Sequence, residues 1–260
     1  MTAPFKVYIP ARYASTRLPG KLLLEIGAKS LLQHVWEAAA GSGAREVVIA
    51  ADDERIRAAA TAFGATVVMT GAGHDSGTER LAEAVRLRQE PDDAIIVNVQ
   101  GDEYGIPVGQ IDQVAAVLDR DREVPMATLC EAILDTEQFR NPNVVKVVTD
   151  GAGRALYFSR APVPAQHPDA AAGGFSARPL RHIGIYAYRA GFLRTYTELP
   201  RCELEQSERL EQLRVLYNGH DIHVEEACVH GGMEVNTEAD LERARKIATS
   251  HKLQATRGHD

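Results

Sequence analysis

A chain of 260 residues with 45% hydrophobic and 25% charged residues can bury the core of one large α/β domain. Its formal net charge of −7 argues against a nucleic-acid binder, which needs a basic face, so local clusters of cations point to a small anion instead. Cys130, Cys202 and Cys228 are far apart and form no Cys-x-x-Cys pair, and no apolar run approaches about 18 residues; the reading is a reduced, cytoplasmic protein with neither disulfide framework, zinc site nor membrane segment.

In chain order, Phe5–Pro10 reads as a buried strand that opens into a loop carrying Arg12, Ser15, Thr16, Arg17, the Pro19-Gly20 turn and Lys21. Three cations, two hydroxyls and free backbone N–H groups at a strand end form a receptacle suited to polyphosphate. On composition alone the same loop also fits a solvated basic turn. Leu31, Leu32, Val35 and Ala39 predict a helix, Val47–Ala50 a strand, 53–63 a helix, Thr66–Met69 a strand and 78–89 a helix. Ala94–Val99 is the strongest strand, with Asn98 its only polar residue. This strand–helix repetition predicts a parallel sheet covered by helices on both faces, with ligands outside the carboxyl ends of the strands.

The second half is less regular. Met126–Leu129, Val144–Val148, Ala155–Phe158 and His182–Tyr188 predict strands, and Ala161–Leu180 a long Ala/Pro/Gly-rich loop that could act as a lid. A helix carries Leu210, Leu213 and Leu216 on one face, and another starts near Thr237. The charged end after Ser250 reads as a frayed tail, 251–260.

Chemistry concentrates in a few places. Gln100-Gly101-Asp102-Glu103 follows the strongest strand, and a carboxylate there would face the cationic loop. One carboxylate plus phosphate oxygens is the usual way of holding Mg²⁺, though a polar turn is equally ordinary after a strand. In Gly73–Arg80, Ser76 and Thr78 suit a helix cap, while the same loop could read a base edge, with Arg80 reaching a phosphate. His182, Tyr186 and Tyr188 share one face of their strand, which raises the prospect of a ligand pocket. His34, His220 and His223 have no such company.

Together these segments resemble the CMP-sugar-acid synthetases, most closely the 3-deoxy-manno-octulosonate cytidylyltransferase family. The resemblance is carried by Ile9–Lys21, Asp75–Arg80, Val97–Glu103, Asn141–Val147, Ala155–Arg160, His182–Tyr188 and Glu208–Arg214, in the family's order and over nearly the whole chain to about residue 245. It implies a Rossmann-like nucleotide-diphospho-sugar transferase fold, with a mixed, mostly parallel sheet and helices on both faces. It also implies a homodimer, with Mg²⁺ required to transfer CMP from CTP to an acidic acceptor and release pyrophosphate. A single domain over 1–250 would divide into a nucleotide part (about 1–125) and an acceptor and dimerisation part (about 126–235). By motif position Ala11, Arg12, Ser15, Arg17 and Lys21 would hold the triphosphate, and Asp75, Ser76, Gly77 and Arg80 the cytidine. Arg12, Lys21, Gln100 and Asp102 would be catalytic, with Asp102 on Mg²⁺. Arg160, His182, Tyr186, Glu211 and Gln212 would line the acceptor pocket.

Two departures stand out. Where the family has Val-Asp-Thr, this chain has Val235-Asn236-Thr237, so the expected second metal carboxylate is an amide. The family's Gln-Gly-Asp-Glu-Pro also becomes Gln100-Gly-Asp-Glu-Tyr104-Gly-Ile-Pro107. Three explanations follow: drift in a sugar-acid enzyme, with Asn236 ligating through its carbonyl oxygen; a phosphonate acceptor such as phosphonoformate, whose own charge replaces the missing carboxylate; or a nucleotide-binding module with little catalysis.

Overall fold

The computed structural model describes residues 3–166, 175 and 177–257, the last seven by backbone alone. Nine of the twenty residues of the expected lid, 167–174 and 176, lie outside the described residues.

The first half alternates as expected. β1 (Phe5–Ala11) leads through a 3-10 turn (Lys21–Leu23) and a small hairpin, β2 (Glu25–Ile26) and β3 (Lys29–Ser30), into α1 (Leu31–Ala40). Then come β4 (Glu46–Ala51), α2 (Glu54–Ala62), β5 (Thr66–Met69), α3 (Gly77–Leu87) and β6 (Ile95–Asn98). β6, β1, β4 and β5 lie side by side in parallel. Alternation along each strand feeds two cores: Val7, Ile9, Val47 and Ile49 face one side, with helices α1 and α2, while Tyr8, Val48 and Ala50 face the other, with α3.

The second half turns the sheet antiparallel. After β7 (Glu103–Tyr104) and α4 (Val108–Arg120), the chain forms β8 (Met126–Ala132), α5 (Thr136–Arg140), β9 (Lys146–Thr149), β10 (Ala155–Ser159) and β11 (Leu180–Arg189). It then continues through α6 (Ala190–Glu198), α7 (Glu203–Glu208), α8 (Gln212–Tyr217), β12 (Ile222–Glu226), β13 (Met233–Glu234) and α9 (Glu238–Arg257). β11 is the keystone. On one edge it pairs with β8; on the other, Tyr186–Arg189 pair with β6 and Leu180–Arg181 with β9. Between those two partners the edge near Ile183–Ile185 is left open among the described strands, and that gap becomes the floor of a cavity. The ladder with β8 is irregular at the same place, and the Thr128 hydroxyl donates to the Ile185 carbonyl at 2.7 Å across the bulge.

Two expectations change here. The helix expected to carry Leu210, Leu213 and Leu216 is α8, which starts only at Gln212, so Leu210 lies outside it, just after the Arg209 (φ 54°) that ends α7. The break puts Arg209 and Glu211 in a cavity wall instead of on a helix surface. The tail expected to fray after Ser250 stays helical in its backbone to Arg257. Val235, Leu241 and Ala244 pack back into the core of the first half, bringing Asn236 to the site.

Candidate active site

β1 leaves the sheet at Ala11, in parallel register with Ala51. The loop beyond it closes on itself: the Gly20 N–H donates to the Tyr13 carbonyl at 3.3 Å, and Gly20 takes the left-handed φ of 66° that favours glycine. Lys21 then reaches the loop after β6. Its ammonium pairs with the Asp102 carboxylate and donates to Asn236 Oδ1 at 3.0 Å, and Arg17 donates to the same amide oxygen at 2.9 Å. Asn236 Nδ2 donates to Glu234 at 2.7 Å, which turns the amide oxygen toward the cations. The Val235 N–H donates to the Asp102 carbonyl at 2.9 Å, tying the two segments together. Gly101 permits this convergence, because a Cβ there would stand 2.9 Å from the Pro10 carbonyl oxygen.

Two cavities meet at this point. One, of about 260 Å³, lies between the basic loop and the start of α3; Arg12, Ser15, Lys21, Ser76 and Asp102 are in its wall. The other, of about 930 Å³, opens over the gap in β11, with Arg160, His182, Tyr186 and Gln212 in its wall. Arg17, Gly77, Gln100, Glu211 and Asn236 line both, so the cavities adjoin. A cationic chamber therefore borders a larger polar one, with Asp102 and Asn236 near the joint.

His182, Tyr186 and Tyr188 line the larger chamber and form, with the buried Phe158 behind them, an aromatic row whose neighbouring ring centroids lie 5.1 to 5.9 Å apart. His182 Nε2 lies 3.0 Å from the Thr128 hydroxyl, which is within donating distance of the Ile185 and Ile183 carbonyls at 2.7 and 3.1 Å. The tautomer this fixes is Nε2–H, with Nδ1 left as an acceptor. Burial, aided by Arg181, pushes the His182 pKa down to about 3, so the ring is neutral. Burial also raises the Glu211 carboxyl above the ordinary range, against hydrogen bonds from Thr78 and Ser76. Beneath the rim, the fully buried Lys146 ammonium donates to the carbonyls of Asn141, Val144 and Arg160 at 3.0, 2.6 and 2.7 Å, lashing three wall segments together.

The cytidylyltransferase family pattern matches residues 7–222. A 3-deoxy-manno-octulosonate cytidylyltransferase of Idiomarina loihiensis is 52% identical over 94% of this chain and 98% of its own length. The chain belongs to the cytidylyltransferase family. An Actinobacillus pleuropneumoniae member, 3-deoxy-manno-octulosonate cytidylyltransferase 1, is 53% identical over 94% of the chain and 98% of its own length. Among solved structures, a CMP:2-keto-3-deoxy-manno-octonic acid synthetase complexed with CTP superposes with a TM-score of 0.88 at 41% identity, covering 96% of this chain and all of that one.

Within this cytidylyltransferase every expected site residue but Ala11 lies in the wall of one or both cavities, and several of them are also held by neighbouring protein groups. The Ala11 side chain is fully buried in the core and does not line the smaller cavity. The Asp75 carboxylate pairs with Arg201 at 2.6 Å, so it ties α3 to the chain before α7. Ser76 caps α3, its hydroxyl accepting the Glu79 N–H at 3.1 Å, while Gly77 opens the helix. Arg80 lines the smaller cavity but is 2% exposed and engaged with Asp52, Thr70 and Gly71, because an unpaired buried guanidinium would be costly. Arg160 is likewise engaged, donating to the Glu208 and Pro142 carbonyls at 2.7 and 3.0 Å, so it braces the larger cavity as well as lining it.

Sequence reasoning missed Asp52, Lys146 and Glu234. Asp52 had the same signal as Asp102, an acidic residue directly after a parallel strand. Glu234 had none, since only the pairing of β13 with β7 brings it beside Glu103.

Proposed function

We propose that this protein transfers CMP from CTP to a 3-deoxy-manno-octulosonate-type sugar acid, releasing pyrophosphate. The observation that carries this reading is the junction of the two cavities at Gln100, Glu211 and Asn236, beside the Lys21–Asp102 pair. A triphosphate suits Arg12, Ser15, Arg17 and Lys21; an acceptor in the larger chamber would then present its hydroxyl to the α-phosphorus. The names of the close relatives favour the sugar acid, as does the larger cavity, whose 930 Å³ and polar wall far exceed what a compact phosphonate such as phosphonoformate would fill.

The chemistry follows from charge. The acceptor hydroxyl oxygen attacks the α-phosphorus and passes its proton to water, while the bond to the bridging oxygen breaks with the electron pair leaving on pyrophosphate. Lys21, Arg12 and Arg17 offset the charge gathering on the phosphate oxygens, and the aromatic row with Gln212 fixes the attacking angle. Mg²⁺ belongs to this proposal. Among the described residues no group of three or more His, Cys, Asp or Glu side chains could hold a metal alone. The Lys21 ammonium, however, bridges the Asp102 carboxylate and the Asn236 amide oxygen, two oxygens already arranged around positive charge. Such a pair, completed by phosphate oxygens and water, fits Mg²⁺, which when bound would neutralise phosphate charge and acidify the hydroxyl.

We also assign the reaction to the cytoplasm, where CTP is made, and to a homodimer. The homodimer follows from the resemblance to the sugar-acid synthetases. Sedimentation at micromolar concentration tests the dimer, and a monomer refutes it. The function is tested by pyrophosphate release from CTP and Mg²⁺ with the sugar acid or with phosphonoformate. Rapid release with the sugar acid alone is expected. Release only with the phosphonate, or tight CTP binding with no release at all, overturns the assignment.

A further inference from the structure

Asp52, directly after β4, lies outside both cavity walls yet touches two of the segments that build the smaller one. One carboxylate oxygen accepts the Tyr13 N–H at 2.9 Å, within the basic loop. The other accepts from Arg80 at 3.0 Å. Arg80 in turn donates to the Thr70 hydroxyl at 2.7 Å and the Gly71 carbonyl at 3.1 Å, where the chain enters the His74–Gly77 wall. Both side chains are withdrawn from solvent, at 10% and 3% exposure. Three residues along α3 from Arg80, Glu83 accepts the Gly71 N–H at 2.8 Å, holding the other end of the same peptide region. Tyr13 is a hub within its own loop: its carbonyl accepts from Gly20, and the Arg55 guanidinium stacks 3.4 Å from its ring centroid.

The geometry points to Asp52 and Arg80 as a positioning pair that sets the spacing between the triphosphate loop and the loop entering α3, so that CTP affinity depends on Asp52, which lines neither cavity. This rests on the reading that the smaller cavity takes CTP. A buried pair of this kind is often replaceable by apolar residues without loss of stability, but apolar residues cannot hold Tyr13 or Gly71. Stability and nucleotide affinity should therefore separate. The effect falls on the CTP side, because neither residue contacts the larger chamber.

The test compares Asp52→Asn, Arg80→Lys and the double variant Asp52→Leu/Arg80→Met with the wild type. Each is measured for melting temperature, CTP dissociation constant by calorimetry with Mg²⁺, and KM for the acceptor. Asp52→Asn is expected to weaken CTP on the order of tenfold with the acceptor KM within twofold, and Arg80→Lys, which keeps the charge opposite Asp52, to weaken it less. The double variant is expected to recover the melting temperature but not the CTP affinity, which keeps the test usable if Asp52→Asn fails to fold. A double variant that melts like the wild type and binds CTP within twofold of it overturns the inference. A wild type that does not bind CTP sinks the nucleotide reading instead; amide hydrogen exchange at Tyr13 and Gly71 then decides the clamp. Faster exchange in the variants supports it, and unchanged exchange overturns it.

Discussion

The two chambers are built in opposite ways. The smaller is made from loops that leave parallel strands at their carboxyl ends, with Arg12, Ser15, Arg17 and Lys21 all on one stretch after β1. The larger is assembled from β11, the loop before β9, the end of β10, the α7–α8 break and the segment before α9, which meet through antiparallel pairing and through contacts such as those of Glu208 with Ser159 and Arg160. A phosphate site can be carried by one short loop because phosphate asks mainly for charge and N–H groups. A polyol site needs donors and acceptors from several directions, so it draws on distant parts of the chain.

If this contrast holds, damage at the junction should stop chemistry, while damage in the larger chamber should fall on one substrate. Lys21→Ala and Asp102→Ala are expected to lower kcat by about 10²- to 10³-fold in a pyrophosphate-release assay. A loss under fivefold in both would remove the pair from the reacting centre. Lys146→Met, which strands three carbonyls, is expected to cost about 3 kcal/mol in urea unfolding and to raise the acceptor KM more than the CTP KM. Equal effects on both substrates would break the division of labour.

His182→Phe keeps the aromatic row but removes Nδ1, and is expected to raise the acceptor KM about tenfold with CTP unaffected. The same residue makes a pH prediction. Its folded pKa lies near 3, below the unfolded value near 6.5, so the unfolded chain binds more protons between those values. Stability should therefore fall on acidification through that window, by about 1 kcal/mol per pH unit from this group. Urea titrations at pH 6 and pH 5 should show a smaller decline in His182→Phe; an unchanged slope would mean the ring is not held neutral. The smallest effect concerns Asn236→Asp. An added carboxylate beside Asp102 is expected to tighten Mg²⁺ about threefold, read from Mn²⁺ binding by electron paramagnetic resonance, despite its new repulsion from Glu234. No change would take Asn236 away from the cation.

The contrast also explains what the sequence could reveal. β1, β4, β5 and β6 were readable because buried parallel strands are continuous apolar runs, and the basic loop because its charges are neighbours in the chain. Asp102 was readable from its place after the strongest strand. The engaged states of Arg80 and Arg160 were not, because a cation free to reach a ligand and one anchored to carbonyls look alike in a list of residues. The late start of α8 was hidden for a similar reason: Leu210, Leu213 and Leu216 keep helical spacing although Leu210 lies outside the helix, next to the left-handed Arg209. β13 was too short to carry a period, so Glu234 was invisible until β7 paired with it.

Gly101 makes the reacting centre vulnerable to a single carbon atom. A methyl group there would press on the Pro10 carbonyl and wedge the ends of the two central strands apart. Every charged side chain would remain, yet the lysine and the aspartate would part company. In this enzyme, emptiness at one position is as much a part of the catalyst as the charges around it.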